Sequence, residues 1–261
     1  MTKKLLITCI VLFLVVIGLA GYLFFGKDNK KEEETADTNT KVKETATPEP
    51  TATPYVGEVN GVLNPEFTDT NSLLLLANKK HPLPEGYAPD DLVIPDVETN
   101  GNTVYMRQEA ADALKEMFTA AANDGVTLLA GSGYRSEDYQ RTLYNGYVQQ
   151  YGVETADTIS SRPGYSDHQT GLALDISDHD GATYLRQDME NTPEGQWLKD
   201  HAHEYGFIMR YPKGKQDITG YAYEPWHFRY VGKEWSEKIY SKGEFESFEE
   251  YFNVSGGDYA N

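Results

Sequence analysis

Ser166-Asp167-His168-Gln169-Thr170-Gly171-Leu172-Ala173-Leu174-Asp175-Ile176 is the stretch on which the reading of this chain turns. It sets His168 seven residues before Asp175, and the aspartate stands in an apolar run (Leu172, Ala173, Leu174, Ile176) that reads as a buried strand. A buried carboxylate must be compensated, and a metal ion or a cationic side chain are the usual partners. Residues seven apart on an unbroken strand face opposite sides. Gly171 lies between these two and lets the chain turn, so both side chains can converge on one point. A polar turn followed by a strand with one salt-bridged aspartate would read the same way, so the stretch needs partners from elsewhere in the chain.

The partners come from a second stretch, Tyr223-Glu224-Pro225-Trp226-His227-Phe228-Arg229-Tyr230. Pro225 makes a helix interior unfavourable, so this reads as a loop entering a strand, with Glu224 just outside the sheet and His227 pointing in. Two histidines and a carboxylate are the ligand set of a catalytic zinc site with one position open for water. A second carboxylate beside them supplies a general base. The zinc-protease signature with two histidines on one helix is absent.

Competing hydrolase chemistries lack their residues. No serine after the N-terminal apolar segment is followed three residues later by lysine, and there is no Gly-x-Ser-x-Gly elbow. The single cysteine, Cys9, lies inside that segment, so no thiol nucleophile and no intrachain disulfide are expected.

The elements around the two stretches follow from their periodicity. Leu73 to Asn78 reads as a short strand running into a proline-rich loop, in which His81 is ordinary surface or packing. Arg107 to Asp124 is the clearest helix, with Ala111, Leu114, Met117, Phe118 and Ala121 at three- and four-residue steps. Val126 to Ala130 reads as a strand, and Ser136 caps a helix that runs to about Tyr151. Arg135 therefore stands at a strand-to-helix junction, either as a functional side chain or in a salt bridge with one of the many carboxylates. Residues 153–170 read as a polar loop. Thr192-Pro193 opens a further helix that Gly206 closes. His201 and His203 on it are two apart and cannot share a metal. Phe207–Tyr211 and His227–Val231 read as strands, and Lys233–Ser241 and Glu244–Phe252 as helices. This irregular order predicts an α+β domain with a mainly antiparallel central sheet flanked by helices.

The domain is expected at residues 57–254, with a short tail at 255–261. Before it, Leu5 to Phe25 is an uninterrupted run of 21 apolar or small residues. At about 1.5 Å rise per residue that length matches a bilayer core of about 30 Å, and it exceeds a signal-peptide core. Residues 1–26 are therefore expected to form an uncleaved transmembrane anchor. Residues 27–56, rich in Thr, Glu, Lys and Pro, read as a disordered linker. Lysines flank the apolar run on both sides, so charge does not set its orientation. The first 31 residues hold five lysines and one aspartate, which leaves 18 basic against 40 acidic residues, a net charge of −22, for the rest. Such a chain repels phosphate backbones, so nucleic acid is not an expected partner.

Taken together, Ser132–Gln140 (SGYRSEDYQ), SDHQTGLALDI, YGFIMRYPKGK from Tyr205 and EPWHFRYVG from Glu224 resemble the VanY-type D-alanyl-D-alanine carboxypeptidases. These zinc peptidases share a fold with Hedgehog-type domains, and the resemblance spans roughly Leu73 to Tyr240. It implies that His168, Asp175 and His227 bind one zinc ion and that Glu224 is the catalytic base. It implies that Arg135 binds the substrate and the developing oxyanion, with Gln140 and Ser166 as further substrate contacts. Trp226 either lines the cleft or belongs to the core. The implied activity is release of the terminal D-alanine of peptidoglycan stem peptides, by a monomer held at the cell membrane with its domain on the outer, cell-wall side. The alternatives are L,D-carboxypeptidase action on tetrapeptide stems and, in another class, a non-catalytic zinc-binding cell-wall module.

Overall fold

The computed structural model describes residues 55–259. The expected anchor (1–26), nearly all of the expected linker (27–56) and residues 260–261 of the expected tail lie outside the described residues. Among the described residues no helix is long and apolar enough to cross a membrane.

The domain begins with two small antiparallel pairs, β1 (Glu58–Val59) with β2 (Val62–Leu63) and β3 (Leu92–Val93) with β4 (Met106–Arg107). Then come α1 (Gln108–Asn123), β5 (Leu129–Ser132), α2 (Glu137–Tyr151), α3 (Val153–Ile159) and β6 (Ala173–Ser177). The second half holds α4 (Pro193–His201), β7 (Phe207–Met209), α5 (Gln216–Thr219), β8 (His227–Tyr230), α6 (Lys233–Lys242) and α7 (Phe248–Phe252). The central sheet has the order β5-β6-β8-β7, antiparallel throughout, as the sequence predicts for the domain.

Alternation along the strands divides the sheet into two faces. Leu174, Ile176, Phe228 and Tyr230 join Ala110, Leu114 and Met117 of α1 and Leu198 of α4 in the main core. Asp175, His227 and Arg229 alternate with those core residues along β6 and β8 and so point to the other face. A second core under that face gathers Phe67, Leu74, Leu76, Ile208, Phe248 and Phe252.

Four sequence expectations are corrected. Leu73 to Asn78 forms no strand, although Leu74 to Ala77 are buried. The Arg229 guanidinium takes the carbonyls of Leu73 (2.9 Å) and Leu75 (2.7 Å), which replaces a strand ladder. Residues 153–170 are not all loop: they contain α3 and a 3-10 turn at Asp167–Thr170. The last helix starts at Phe248 rather than Glu244, because Ser247 and Glu250 form a reciprocal capping box there. The strand expected at Val126–Ala130 is shifted to Leu129–Ser132. At the C-terminal end, Ser255 N donates to Glu58 (2.6 Å), and Tyr259 Oη accepts from Arg162 N (2.7 Å).

Glu249 ties the two ends of the domain together. Its carboxylate takes both amino groups of buried Arg210 at 2.7 and 2.8 Å and the Asn78 amide at 3.0 Å. Removing one partner of a buried pair leaves the other charge uncompensated. Glu249→Ala is expected to lower stability by about 3–5 kcal/mol in urea unfolding, and Glu249→Gln by less because it keeps the Asn78 bond.

Candidate metal and catalytic site

The site is set by strand register. Asp175 lies directly opposite His227 across the β6–β8 pair, and opposite Ser132 across the β5–β6 pair. Between Ala130 and Ser132 the register shifts by a bulge. A Cβ at Gly131 would fall 2.2 Å from the Tyr184 ring, so only glycine lets that tyrosine close over the bulge. His168 arrives from the 3-10 turn, which Gly171 ends at φ 72°. The turn expected at Gly171 thus exists, and it delivers His168 Nε2 to 3.3 Å from Asp175 Oδ1. His227 Nδ1 lies 3.4 Å from the same oxygen.

The outer atoms of both rings are fixed. His168 Nδ1 lies 2.8 Å from the Gly133 carbonyl, which can only accept, so that nitrogen carries the proton and Nε2 presents a lone pair inward. His227 Nε2 faces the Asp167 carboxylate at 3.3 Å, which turns Nδ1 inward. Asp167 is itself fully buried and paired with Arg229. Asp175 Oδ1 is a buried acceptor without a hydrogen-bond donor among the described residues, facing a bare imidazole nitrogen. Ligands of a tetrahedral zinc ion at about 2.0–2.1 Å stand about 3.3–3.4 Å apart, close to the two separations here. The three donor atoms all lie within 4.8 Å of one another. The donor set therefore fits a zinc-type cation.

Electrostatics point the same way. Burial and the Arg135 charge pull His168 down to about 4 against the attraction of Asp175. Burial also pulls at His227, but its bonds to Asp167 and Glu224 and the nearby Asp175 outweigh it and lift this imidazole to about 9. Burial would raise Asp175, yet His168, Arg135 and His227 hold it at about 2.

Glu224 Oε2 is 3.4 Å from His227 Nδ1. Burial raises its carboxyl above the usual range, against the pull of His227. Arg135 makes the salt bridge that the sequence left open: Nη2 donates to Asp175 Oδ2 (2.7 Å) and Nε to Ser132 Oγ (3.0 Å). It also borders the cleft, and its Nη1 has no partner among the described residues. Gln140, Ser166 and Trp226 line the same cleft, whose volume is about 410 Å³. Gln140 Nε2 donates to Ser160 Oγ and the Ser161 carbonyl, while its Oε1 is buried without a partner among the described residues. Trp226 both lines the cleft and packs on the main core.

His81, His201 and His203 do not line the cleft. The sequence reading missed Asp167, Tyr184 and Tyr211, whose ring lies 4.8 Å from His227. Asp167 had a signal: Arg229 stands in an apolar strand and Arg210 directly after one, and a buried arginine requires a carboxylate.

Two buried imidazoles, a carboxylate and a further carboxylate alongside are the side chains that mononuclear metal-dependent hydrolases use. Residues 103–233 match the family model "VanY: D-alanyl-D-alanine carboxypeptidase", and the chain belongs to that family. It is 47% identical over 195 residues to a putative carboxypeptidase, YodJ, of Bacillus subtilis, covering 73% of this chain and 69% of that protein. The structure of the LdcB LD-carboxypeptidase is 45% identical with a TM-score of 0.64, covering 76% of this chain and 94% of that one. A Zn(II) complex of a mutant of VanY, a vancomycin-resistance D,D-pentapeptidase, is 33% identical with a TM-score of 0.57, covering 70% and 99%. Family and site together make the protein a carboxypeptidase of peptidoglycan peptides.

Asp167→Asn should remove the charge that orients His227. A competition titration with a chelating dye, at a temperature where circular dichroism shows the less stable variant still folded, is expected to show metal affinity reduced about 10- to 100-fold.

Proposed function

We propose that this protein is a zinc-dependent carboxypeptidase that releases the terminal D-alanine of peptidoglycan stem peptides. The observation that carries the metal reading is the convergence of His168 Nε2 and His227 Nδ1 on the orphaned Asp175 Oδ1. His168, Asp175 and His227 would hold the ion, which supplies Lewis acidity at the scissile carbonyl and a water acidified toward about pH 7.

The chain's own residues do the rest. Glu224, raised by burial and beside His227, takes the proton of the attacking water and returns it to the departing amine. Arg135 is held by Asp175 and Ser132 and offers its remaining amino group to a substrate oxygen. Ser166 and Gln140 form cleft wall where a peptide chain end would lie, and Trp226 is their apolar counterpart.

The D,D reaction expected from the sequence and the L,D reaction differ in the residue before the terminal alanine. We place the L,D reaction on tetrapeptides first and the D,D reaction on pentapeptides second. Greater likeness to the LD-carboxypeptidase (45%) than to the D,D-pentapeptidase (33%) supports this order, as does a cleft roomy enough for a long penultimate side chain. Anchoring at the cell membrane with the domain outward is part of the proposal. It is supported by the apolar run Leu5–Phe25 and by the location of such a substrate.

Mass analysis of products from tetrapeptide and pentapeptide stems tests the reaction. Alanine loss chiefly from the tetrapeptide is expected; release from neither, with zinc supplied, sinks the enzyme reading. Glu224→Gln should keep zinc but lose at least about 100-fold in kcat. The metal must also displace the His227 proton, so affinity follows the deprotonated fraction. Below pH about 9 apparent zinc affinity should fall about tenfold per pH unit, more steeply near pH 4 as His168 protonates too. A pH-independent affinity would contradict that site.

A further inference from the structure

The catalytic cleft does not end at its catalytic residues. Helix α2 starts immediately after Arg135, and Tyr139, Leu143, Tyr147 and Tyr151 recur along it at four-residue steps, which places them in a stripe along one side. The first three line the cleft, and Tyr151 continues the line past its rim. Tyr139 and Tyr151 are 59% and 49% exposed, too much for core aromatics. The Tyr147 and Tyr151 rings lie nearly parallel, 6.3 Å apart at 23°.

We propose that this stripe is a saccharide-binding extension of the active site, which seats the amino-sugar glycan carrying the stem peptide under cleavage. The inference rests on the carboxypeptidase reading. A pyranose presents a C–H face that stacks on tyrosine, and its hydroxyls and amides remain solvated at the rim. The occupant also fits by reach. A stem of four or five residues, extended, spans roughly 13–18 Å at about 3.3–3.6 Å per residue. Tyr139 to Tyr151 covers 12 residues of helix, about 18 Å. With the peptide's carboxyl end at Arg135, the sugar at its amino end falls near Tyr147 and Tyr151. Neutral N-acetylated sugars also suit a domain carrying a strong negative charge.

The test compares a free stem peptide with the same peptide on its disaccharide, using the full chain and whichever stem length the wild type cleaves. Wild type should favour the glycan-linked form. Tyr151→Ala should lower kcat/KM for that form about three- to tenfold with the free peptide unchanged, and Tyr151→Phe, which keeps the ring face, should behave as wild type. Equal use of the two substrates by wild type, or parallel loss on both in Tyr151→Ala, overturns the inference. Calorimetric titration with the peptide-free glycan reads the stripe without turnover: binding that Tyr151→Ala weakens supports it, and no binding by wild type overturns it. Failure of the carboxypeptidase reading would show separately, as no alanine released from either substrate.

Discussion

The direct pairing of Asp175 with His227 across β6 and β8 is the constraint on which the rest of the structure depends. A slip of one residue would turn both side chains toward α1 and bring Leu174 or Phe228 into the cleft. The main core prevents that slip, because Leu174, Ile176, Phe228 and Tyr230 are buried on the opposite face of the same two strands. Apolar burial behind the sheet thus fixes the position of charged groups in front of it. The bulge at Gly131 serves the same end on the other flank: it brings Ser132 opposite Asp175, and Ser132 Oγ then holds Arg135 Nε.

Charge is arranged in a chain rather than in isolated pairs. Arg229 holds Asp167, Asp167 orients His227, and His227 stands beside Asp175, which Arg135 neutralises from its other oxygen. Arg229 also takes the carbonyls of Leu73 and Leu75. The segment that would have been a strand on apolar pattern alone is therefore consumed in supporting the site. Buried arginines cost desolvation, and here each one is matched by a carboxylate, so the expense secures geometry. Gly133 and Asp167 fix the two ring orientations from behind.

That arrangement explains what could be read from the sequence. His168, Asp175, Glu224 and His227 were legible because their chemistry is rare in apolar surroundings, and the structure brings all four together. Gly171 was legible because a turn was needed and occurs there with φ 72°. Asp167 was not, because its partners Arg210 and Arg229 lie 43 and 62 residues away and only the sheet brings them near. The 73–78 segment was misread for a related reason: a guanidinium can satisfy carbonyls as a neighbouring strand would, and periodicity does not distinguish the two. Helix α3 was missed inside a polar stretch, where a single buried residue, Ala156, gives no apolar period to detect.

The same physics separates the part of the site fixed by the sheet from the walls of the cleft. The candidate ligands sit on β6, β8 and a short turn closed by Gly171, where a side chain can move little without breaking the sheet or core. The cleft walls come from other parts: the exposed side of α2, the α3 segment through Ser161, and the loops holding Tyr184 and Tyr223. The side chains of these regions that face the cleft are not tied to the register of the sheet. Under the proposed function, the sheet would carry bond cleavage and the walls would choose the peptide. Enzymes acting on tetrapeptides and on pentapeptides can then share one ligand set, and a comparison of ligand residues alone will not distinguish them.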